Sequence, residues 1–379
     1  MANPFPLRTT SGTAAQFLIP AFEQQDTAFA KAFAVLQSGI AERVFPAVSV
    51  AITHKGKLIA RKALGRFTYE PEAPETSPDS IFDVASLTKI VATTSMAMIL
   101  YELGLLDLDM PGVAMVPEFA ADNPRNPEVT MRMLLTHSSG LPAYEKLFLE
   151  AKDREALLAA AFATQLTADP GTRAEYSDIG FIILGVALER LAEEPLDSFC
   201  RREVFGPLGM LHTAFRPPAS WHDSIPPTVD DRGFRQRVIQ GEVYDENANV
   251  MGGVASHSGL FATAGDLAIF ANAMLEGERP ILRPETLAVF TRRESSPPGT
   301  TRALGWDTPS SPSQAGKYFS PHSFGHLGYT GTSLWIDPER QLSVVLLTNR
   351  TWPDSANHAI KQFRPRFHDA VVEAMETKR

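Results

Sequence analysis

Strand-like segments stand at both ends of this chain, and helix-like segments fill the interval between them. Near the start, the alternating run 46–52 and the apolar run 58–60 flank a polar stretch with a glycine, which predicts a β-hairpin. Strand patterns return only after residue 300, at 303–306, 323–329, 332–336 and 342–348. A sheet made of these segments has to bring the two ends of the chain together and leave the middle as an insertion.

Helical periodicity recurs through the middle of the chain. The segments with this spacing are 131–136, 154–164, 179–192, 196–204, 264–275 and 284–290. Helical patterns also lie outside the strands, at 21–41 and 356–376, and Pro365 predicts a break or kink in the second. Residues 1–20 are expected to form an irregular lead-in, and 225–245 is ambiguous.

This order predicts an α+β fold, with an antiparallel sheet flanked by terminal helices and an inserted, mostly helical domain. We expect residues 1–84 plus 295–379 to form the sheet domain and residues 85–294 to form the helical domain. The 379 residues are 44% hydrophobic and 21% charged, which suits a soluble globular protein with a sizeable core.

The charge and the apolar runs exclude several classes of protein. A net charge of −9 argues against nucleic acid or an anionic membrane as the main partner. The apolar run 90–100 is shorter than the ~18–20 residues that span a bilayer, so no membrane span is expected. Cys200 is the sole cysteine, so there is no internal disulfide. The N-terminus lacks a basic region followed by an apolar core, so a cytoplasmic location is expected, with export after removal of a signal left open.

The first motif with chemical meaning is Ser86-Leu87-Thr88-Lys89, between two hydrophobic runs. If a helix begins near Ser86, Lys89 lies one turn away on the same face. A serine hydroxyl needs a base within hydrogen-bond reach, and a lysine desolvated in a dry site can lose its proton and serve as that base. On its own the motif is common by chance, and it is more typical of a serine that starts a helix with a lysine on its exposed face.

Two further polar clusters follow. Tyr176-Ser177-Asp178 precedes a buried helical run, so its residues either cap that helix or form part of a site. A tyrosine can relay protons, and Asp178 could orient an ammonium group. The segment 325–332 has three glycines around His326 on a strand pattern, which indicates either a close approach of a ligand to the backbone or a bulged edge strand.

The order of these motifs resembles the serine β-lactamase and penicillin-binding protein superfamily, in its branch of class C β-lactamases, D,D-peptidases and carboxylesterases. Ser86-Leu87-Thr88-Lys89 matches the first family motif, Tyr176-Ser177-Asp178 stands in place of Tyr-x-Asn, and His326-Leu327-Gly328 stands in place of Lys-Thr-Gly. Segments 135–141 and 207–210 are also typical of the branch.

The resemblance implies a β-lactamase/transpeptidase-like fold and an acyl-enzyme cycle without metal or cofactor. It implies that Ser86 is the nucleophile and that Lys89 and Tyr176 move its proton. It also implies an oxyanion hole made by the N–H groups of Ser86 and Tyr329. Asp178 and His326, together with Gly328 and Asp245, are then expected to bind substrate or support the site. Asp245 lies in a segment that resembles a subgroup that includes muropeptide amidases.

Two departures from the family motifs affect the expected substrate. Asp178 replaces an asparagine, and a carboxylate cannot donate to the side-chain carbonyl of a penicillin or cell-wall peptide. We also expect it to keep Lys89 charged and to shift the role of base toward Tyr176. His326 replaces a lysine and is expected to be mostly neutral at pH 7.

The expected substrate is a small molecule of ester, lactam or peptide type. A carboxylesterase acting on small esters, with weak or no β-lactamase activity, is favoured. The alternatives are a class C-type β-lactamase, a D-alanyl or muramyl peptide amidase, and a sensor that captures acyl ligands without turnover. The sequence contains no Gly-x-Ser-x-Gly elbow and no His-Glu-x-x-His, so neither an α/β-hydrolase nor a metal site is expected, and it leaves the oligomeric state open.

Overall fold

Strands from both ends of the chain meet in one sheet. The computed structural model describes residues 18–120, 123–276 and 281–376. Its strands are β1 (Ile19–Pro20), β2 (Ala47–His54), β3 (Lys57–Gly65), β4 (Phe82–Asp83), β5 (Ala214–Phe215), β6 (Val229–Asp231), β7 (Arg237–Ile239), β8 (Leu260–Ala262), β9 (Phe324–Leu327), β10 (Ser333–Asp337) and β11 (Leu342–Thr348).

Helices account for much of the remaining chain. The α-helices are α1 (Gln25–Ala28), α2 (Ala30–Ala41), α3 (Ser95–Glu102), α4 (Met131–Leu135), α5 (Arg154–Phe162), α6 (Asp178–Ala192), α7 (Leu196–Cys200), α8 (Gly206–Leu208), α9 (Glu246–Val250), α10 (Ala264–Glu276), α11 (Pro284–Thr291) and α12 (Ile360–Glu376). Lys89–Thr94 and Arg201–Phe205 have π-helical geometry. Short 3₁₀ turns occupy Gly112–Ala114, Pro117–Ala120, Asn126–Glu128, Leu147–Leu149 and Ala219–Ser224.

The large sheet confirms the predicted α+β architecture. Within the described residues, six strands pair in the order β1-β3-β2-β11-β10-β9. β1 pairs parallel with β3, and the other neighbours in this sheet are antiparallel. β2 from the start of the chain lies beside β11 near its end, so the middle of the chain is inserted between them. β9, which carries His326, forms one edge of the sheet.

Both faces of the sheet are covered by helices, so both sets of alternating side chains are buried. On β2, Val48, Val50 and Ile52 pack in the core that includes residues of α2 and α12. Ala47 and Ala51 point to the larger core on the opposite face. There α10 packs against β2, β10 and β11. Among the described residues, no helix is long and apolar enough to cross a membrane.

The strand expected at 303–306 is wrong. The segment forms a buried turn, in which Gly305 has φ +83° and the N–H of Ala303 donates to the carbonyl of Trp306. The turn brings Arg302 opposite Asp307 in an isolated bridge, and Asp307 in turn bridges to Gly325 on β9. The buried apolar side chains of this turn have the composition of a strand, but the backbone reverses direction between Arg302 and Asp307.

The break expected at Pro365 does not occur, because α12 continues through it from Ile360 to Glu376. A proline cannot donate to the carbonyl four residues earlier, here that of Lys361. The side-chain amide of Gln314 donates to this carbonyl at 2.8 Å and takes the place of the missing partner. Of the irregular lead-in expected at 1–20, residues 1–17 lie outside the described residues and Ile19–Pro20 form a strand.

Candidate active site

Ser86 stands where β4 passes into the helix that carries Lys89. Asp83, at the end of β4, accepts the N–H of Ala85 at 2.8 Å and that of Tyr244 at 2.7 Å. Ala85 has φ +48°, in the left-handed region that a residue with a side chain rarely adopts. This tight turn starts the helix at Ser86, as the motif predicts, and π-helical geometry follows over Lys89–Thr94.

The Lys89 ammonium is fully buried and contacts three oxygen atoms. Its Nζ lies 3.1 Å from the Ser86 Oγ, 2.6 Å from an Asp178 carboxylate oxygen and 2.9 Å from the His257 carbonyl. The sequence therefore predicted the contacts with Ser86 and Asp178 but missed that with His257. Every residue has a backbone carbonyl, so the sequence does not indicate which residue supplies this contact.

Tyr176 donates its hydroxyl hydrogen bond to Ser86 Oγ at 2.8 Å, which completes the predicted grouping of Ser86, Lys89 and Tyr176. His137 holds this tyrosine. Its carbonyl accepts the N–H of Glu175 and its Nδ1 accepts the N–H of Ser177. The rings of His137 and Tyr176 are also in contact, with centroids 4.6 Å apart. The sequence did not predict His137 as a site residue, because its pairing depends on a contact across 40 positions of the chain.

Burial changes the proton affinities of Lys89 and Tyr176 in opposite directions. It lowers the pKa of Lys89, and the nearby Asp178 carboxylate only partly opposes this effect. Burial raises the pKa of Tyr176 well above its usual value, and Asp178 raises it further. Both shifts favour Lys89 over Tyr176 as the base near neutral pH, whereas the sequence led us to expect that Asp178 would shift this role toward Tyr176. A carboxylate disfavours a phenolate just as it favours an ammonium.

Side chains from the loop after β9 join that loop to the strand before Ser86. Thr330 Oγ1 donates to the Asp83 carbonyl at 2.8 Å, and Thr332 Oγ1 donates to the Val84 carbonyl at 3.0 Å. These bonds fix the Tyr329 backbone relative to Ser86. Within the described residues, neither the N–H of Ser86 nor that of Tyr329 has a hydrogen-bond acceptor, as two donors reserved for an oxyanion would require.

The glycines of this loop serve the packing of the protein itself. A Cβ at Gly328 would lie 2.0 Å from Thr332 Oγ1 and 2.5 Å from the Val84 carbonyl oxygen. The close approach at Gly328 is therefore between two parts of the chain, and it needs no ligand to explain it. Gly331 adopts φ +102°, which closes the turn.

His326 is buried and its Nδ1 lies 2.7 Å from the Leu327 carbonyl. Because a carbonyl only accepts, this nitrogen carries a proton. Burial, together with Lys89 and Arg302, lowers the pKa of His326 well below its ordinary value, so the ring is neutral at pH 7 as expected. Its Nε2 is then an acceptor, and it has no partner among the described residues.

Asp245 lies near these residues but forms no hydrogen bond with Ser86. One carboxylate oxygen accepts the N–H of Ala248, which caps α9, and lies 2.8 Å from His257 Nε2. His257 in turn supplies the carbonyl that receives Lys89, so Asp245 supports the site through His257. The negative charge of Asp245 also raises the pKa of Lys89.

A cleft of about 770 Å³ opens over these residues. All the predicted site residues except Lys89 line it, since Lys89 is covered by its neighbours. Its walls also carry three arginines that sequence reasoning missed, Arg302, Arg350 and Arg364. Their spacing in the chain does not indicate a shared site, because they come from three separate segments that meet only in the folded protein.

The fold and the site define a serine hydrolase of the β-lactamase and penicillin-binding protein class. The sequence model of the β-lactamase family matches residues 31–363, and this chain belongs to that family.

Similar proteins include a putative D-alanyl-D-alanine carboxypeptidase of Escherichia coli K12, 31% identical over 81% of this chain and 79% of the relative. An N-acetylmuramyl-L-alanine amidase of Bacillus subtilis strain 168 is 30% identical over 81% of this chain and 77% of the relative. The solved structure of EstCE1, a hydrolase with promiscuous acyltransferase activity, has a similar fold. It is 22% identical, with a TM-score of 0.75 over 92% of this chain and 99% of the other.

Proposed function

We propose that this protein hydrolyses small, uncharged esters through an acyl-enzyme on Ser86, with little or no turnover of β-lactams. The observation that carries the proposal is the position of the Asp178 carboxylate, 2.6 Å from Lys89 and at the wall of the cleft. A group at this position can accept a hydrogen bond but cannot donate one to the acylamido carbonyl of a penicillin.

Neutral Lys89 is the base in this proposal. A neutral amine has two N–H groups and one lone pair, and Lys89 has two acceptors, Asp178 and the His257 carbonyl, besides Ser86. With its N–H groups on those acceptors, its lone pair faces the Ser86 hydroxyl and takes the proton as Oγ attacks the ester carbonyl. The desolvation that lowers the pKa of Lys89 favours this neutral form.

The remaining groups complete an acylation and a deacylation. The N–H groups of Ser86 and Tyr329 stabilise the tetrahedral oxyanion. Tyr176, which keeps its proton, donates to the departing alkoxide and is reprotonated from Lys89. Water then attacks the acyl-Ser86 ester by the reverse route and releases the acid.

Neutral His326 also favours an uncharged substrate. At the position where β-lactamases carry a lysine, it presents an acceptor nitrogen and no positive charge. The nearby Arg350 and Arg364 donate to backbone carbonyls of the protein, which uses part of their hydrogen-bonding capacity.

A second candidate is cleavage of a D-alanyl or muramyl peptide. The names of the Escherichia coli and Bacillus subtilis relatives favour it. The cleft of about 770 Å³ is also larger than a small ester requires and falls in the size range of sites for larger ligands.

The test compares p-nitrophenyl butyrate, nitrocefin and a D-alanyl or muramyl peptide under one set of conditions. We expect ester hydrolysis to exceed nitrocefin turnover by at least about 100-fold in kcat/KM, and Ser86→Ala to lower ester hydrolysis by at least about 1,000-fold. Wild-type activity in Ser86→Ala would contradict the site. Preference for the peptide would support the second candidate, and a single burst without turnover would indicate an acyl sensor.

A matched test of the selectivity uses Asp178→Asn. The amide has nearly the same shape, and it adds the missing donor while removing the charge. We expect kcat/KM for nitrocefin to rise relative to that for the ester by about 10-fold, the effect of one good hydrogen bond in a desolvated site. An unchanged ratio of the two kcat/KM values would show that Asp178 does not determine this selectivity.

A further inference from the structure

Arg364 is a buried cation without an anion. It lies on α12 with 4% of its surface exposed, and none of the described carboxylates forms an ion pair with it. Its Nη2 donates to the carbonyls of Gly328 at 2.7 Å and Thr332 at 3.0 Å, and its Nε has no partner. Burying an unpaired charge is costly, so a residue of this kind calls for an explanation.

The carbonyl that Arg364 contacts belongs to a particular peptide group. The Gly328 carbonyl and the Tyr329 N–H are the two ends of one peptide unit. The Gly328 oxygen also accepts the N–H of Gly331 at 3.1 Å. Donors at the oxygen of a peptide draw electron density toward it and make the N–H at the other end a stronger donor. The Tyr329 N–H is therefore more strongly polarised than that of an ordinary loop peptide.

We propose that Arg364 is a positioning residue that orients and polarises the Tyr329 N–H, so that this donor binds the oxyanion more strongly than the neutral carbonyl of the substrate. Arg364 acts through the Gly328–Tyr329 peptide and need not touch the substrate. The inference rests on the proposed function, in which Ser86 is acylated and the Tyr329 N–H forms half of the oxyanion hole. It also explains why the arginine is buried at this point.

The state of Arg364 agrees with this role. Burial, together with the charge of Arg350, lowers the pKa of Arg364 to about 9, so the side chain remains a cation at pH 7. A cation in a site of low dielectric favours a transition state in which negative charge develops nearby.

Arg350, which follows β11, provides a matched comparison because it contacts the same loop. It is also 4% exposed, and its Nε donates to the Tyr329 carbonyl at 2.7 Å, which belongs to the next peptide unit. Its guanidinium lies 4.3 Å from the centre of the Tyr329 ring. Arg350 therefore has the same charge and burial, but it does not bond to the peptide that carries the oxyanion donor.

The experiment measures kcat and KM for p-nitrophenyl butyrate, and Ki for phenylboronic acid, which becomes a tetrahedral anion on a serine. The variants are Arg364→Gln, Arg364→Lys, Arg350→Gln and Ser86→Ala. We expect Arg364→Gln to lower kcat by about 10- to 100-fold with KM within about threefold, and to raise Ki by a similar factor. Arg364→Lys, which keeps the charge, should recover most of the loss, and Arg350→Gln, at another residue of the cleft wall, should lower kcat clearly less than Arg364→Gln does.

Several results would overturn the proposal. These are an unchanged kcat in Arg364→Gln, an equal loss in Arg350→Gln, an equal loss in Arg364→Lys, or a loss of kcat without a change in Ki. The melting temperature of each variant checks its folding. If Arg364→Gln does not fold, Arg364→Lys is the test. Its kcat must then be lower than that of the wild type, and its Ki for the boronate must be higher by a similar factor. Activity in Ser86→Ala would contradict the proposed function, whereas inactive Ser86→Ala with fully active Arg364→Gln would contradict this inference alone.

Discussion

At the scale of single residues, the chemistry depends on which groups share the hydrogen bonds of Lys89. Among the described residues, its ammonium forms an ion pair with one carboxylate, that of Asp178, which lines the cleft. Desolvation lowers the pKa of Lys89, and the Asp178 charge raises it. The balance between these two effects sets the fraction of neutral amine available as a base at a given pH.

This balance predicts a shift in the pH profile of Asp178→Asn. Removing the carboxylate removes an effect that raises the pKa of Lys89, so neutral lysine persists to lower pH. We expect the acid limb of kcat/KM for p-nitrophenyl butyrate to move to lower pH. Asp245→Asn is the comparison, and it should move the limb less in the same direction, because Asp245 is a weaker influence on Lys89. A limb that moves to higher pH would mean that Lys89 is not the base.

At the scale of elements, the site depends on a close contact between two segments from different parts of the chain. The strand before Ser86 and the loop after β9 are joined by the hydroxyls of Thr330 and Thr332. Gly328 permits this contact, because any side chain there would meet the Val84 carbonyl. The distance between the two halves of the oxyanion hole is therefore a property of packing between elements.

Gly328→Ala is expected to separate these halves. The added Cβ cannot be accommodated 2.5 Å from a backbone oxygen, so the loop has to move away from Ser86. We expect kcat to fall by about 100-fold, comparable to the loss of one oxyanion donor. Gly112→Ala is the control, since its Cβ would meet nothing closer than 3.5 Å, and its kcat should stay within about twofold. Wild-type kcat in Gly328→Ala would mean that the loop does not depend on this contact.

At the scale of the whole molecule, buried histidines couple folding to pH. Burial lowers the pKa of His368 to about 4 and lowers those of His137 and His326 well below their ordinary value. The native protein then binds fewer protons than the unfolded chain at mildly acidic pH, so its stability decreases as the pH falls. Asp83 has the opposite effect, since burial raises its pKa to about 6 and its contribution to stability is lost as the pH rises through that value.

We expect the free energy of unfolding to fall as the pH decreases from 6.5 to 4. His368 alone accounts for about 3 kcal/mol, from the difference between its ordinary and native pKa. Denaturant unfolding at several pH values measures the slope, and His368→Gln should flatten it. His322→Gln, at an exposed position, is the control for the replacement itself. An unchanged slope in His368→Gln would contradict the assignment to His368.

Much of this architecture follows from local sequence patterns. The apolar runs of β2, β11, α6 and α10 report burial, which is visible in the local sequence. The motif of Ser86 and Lys89 could be recognised because one helical turn joins the two residues. The strand expected at 303–306 failed because a buried turn has the same apolar composition as a strand. The break expected at Pro365 failed because the compensating donor, Gln314, lies far away in the sequence.

The sequence by itself determined many of the elements, the order of the motifs and the identity of Ser86, Lys89 and Tyr176 as candidates for catalysis. Tertiary structure alone decided how protons and charges are arranged among them. The neutral state of His326, the proton kept by Tyr176 and the contact of Arg364 with the Gly328 carbonyl all depend on burial and on neighbours from distant segments. Desolvation and electrostatic interactions act through space, so the order of residues in the chain does not reveal them.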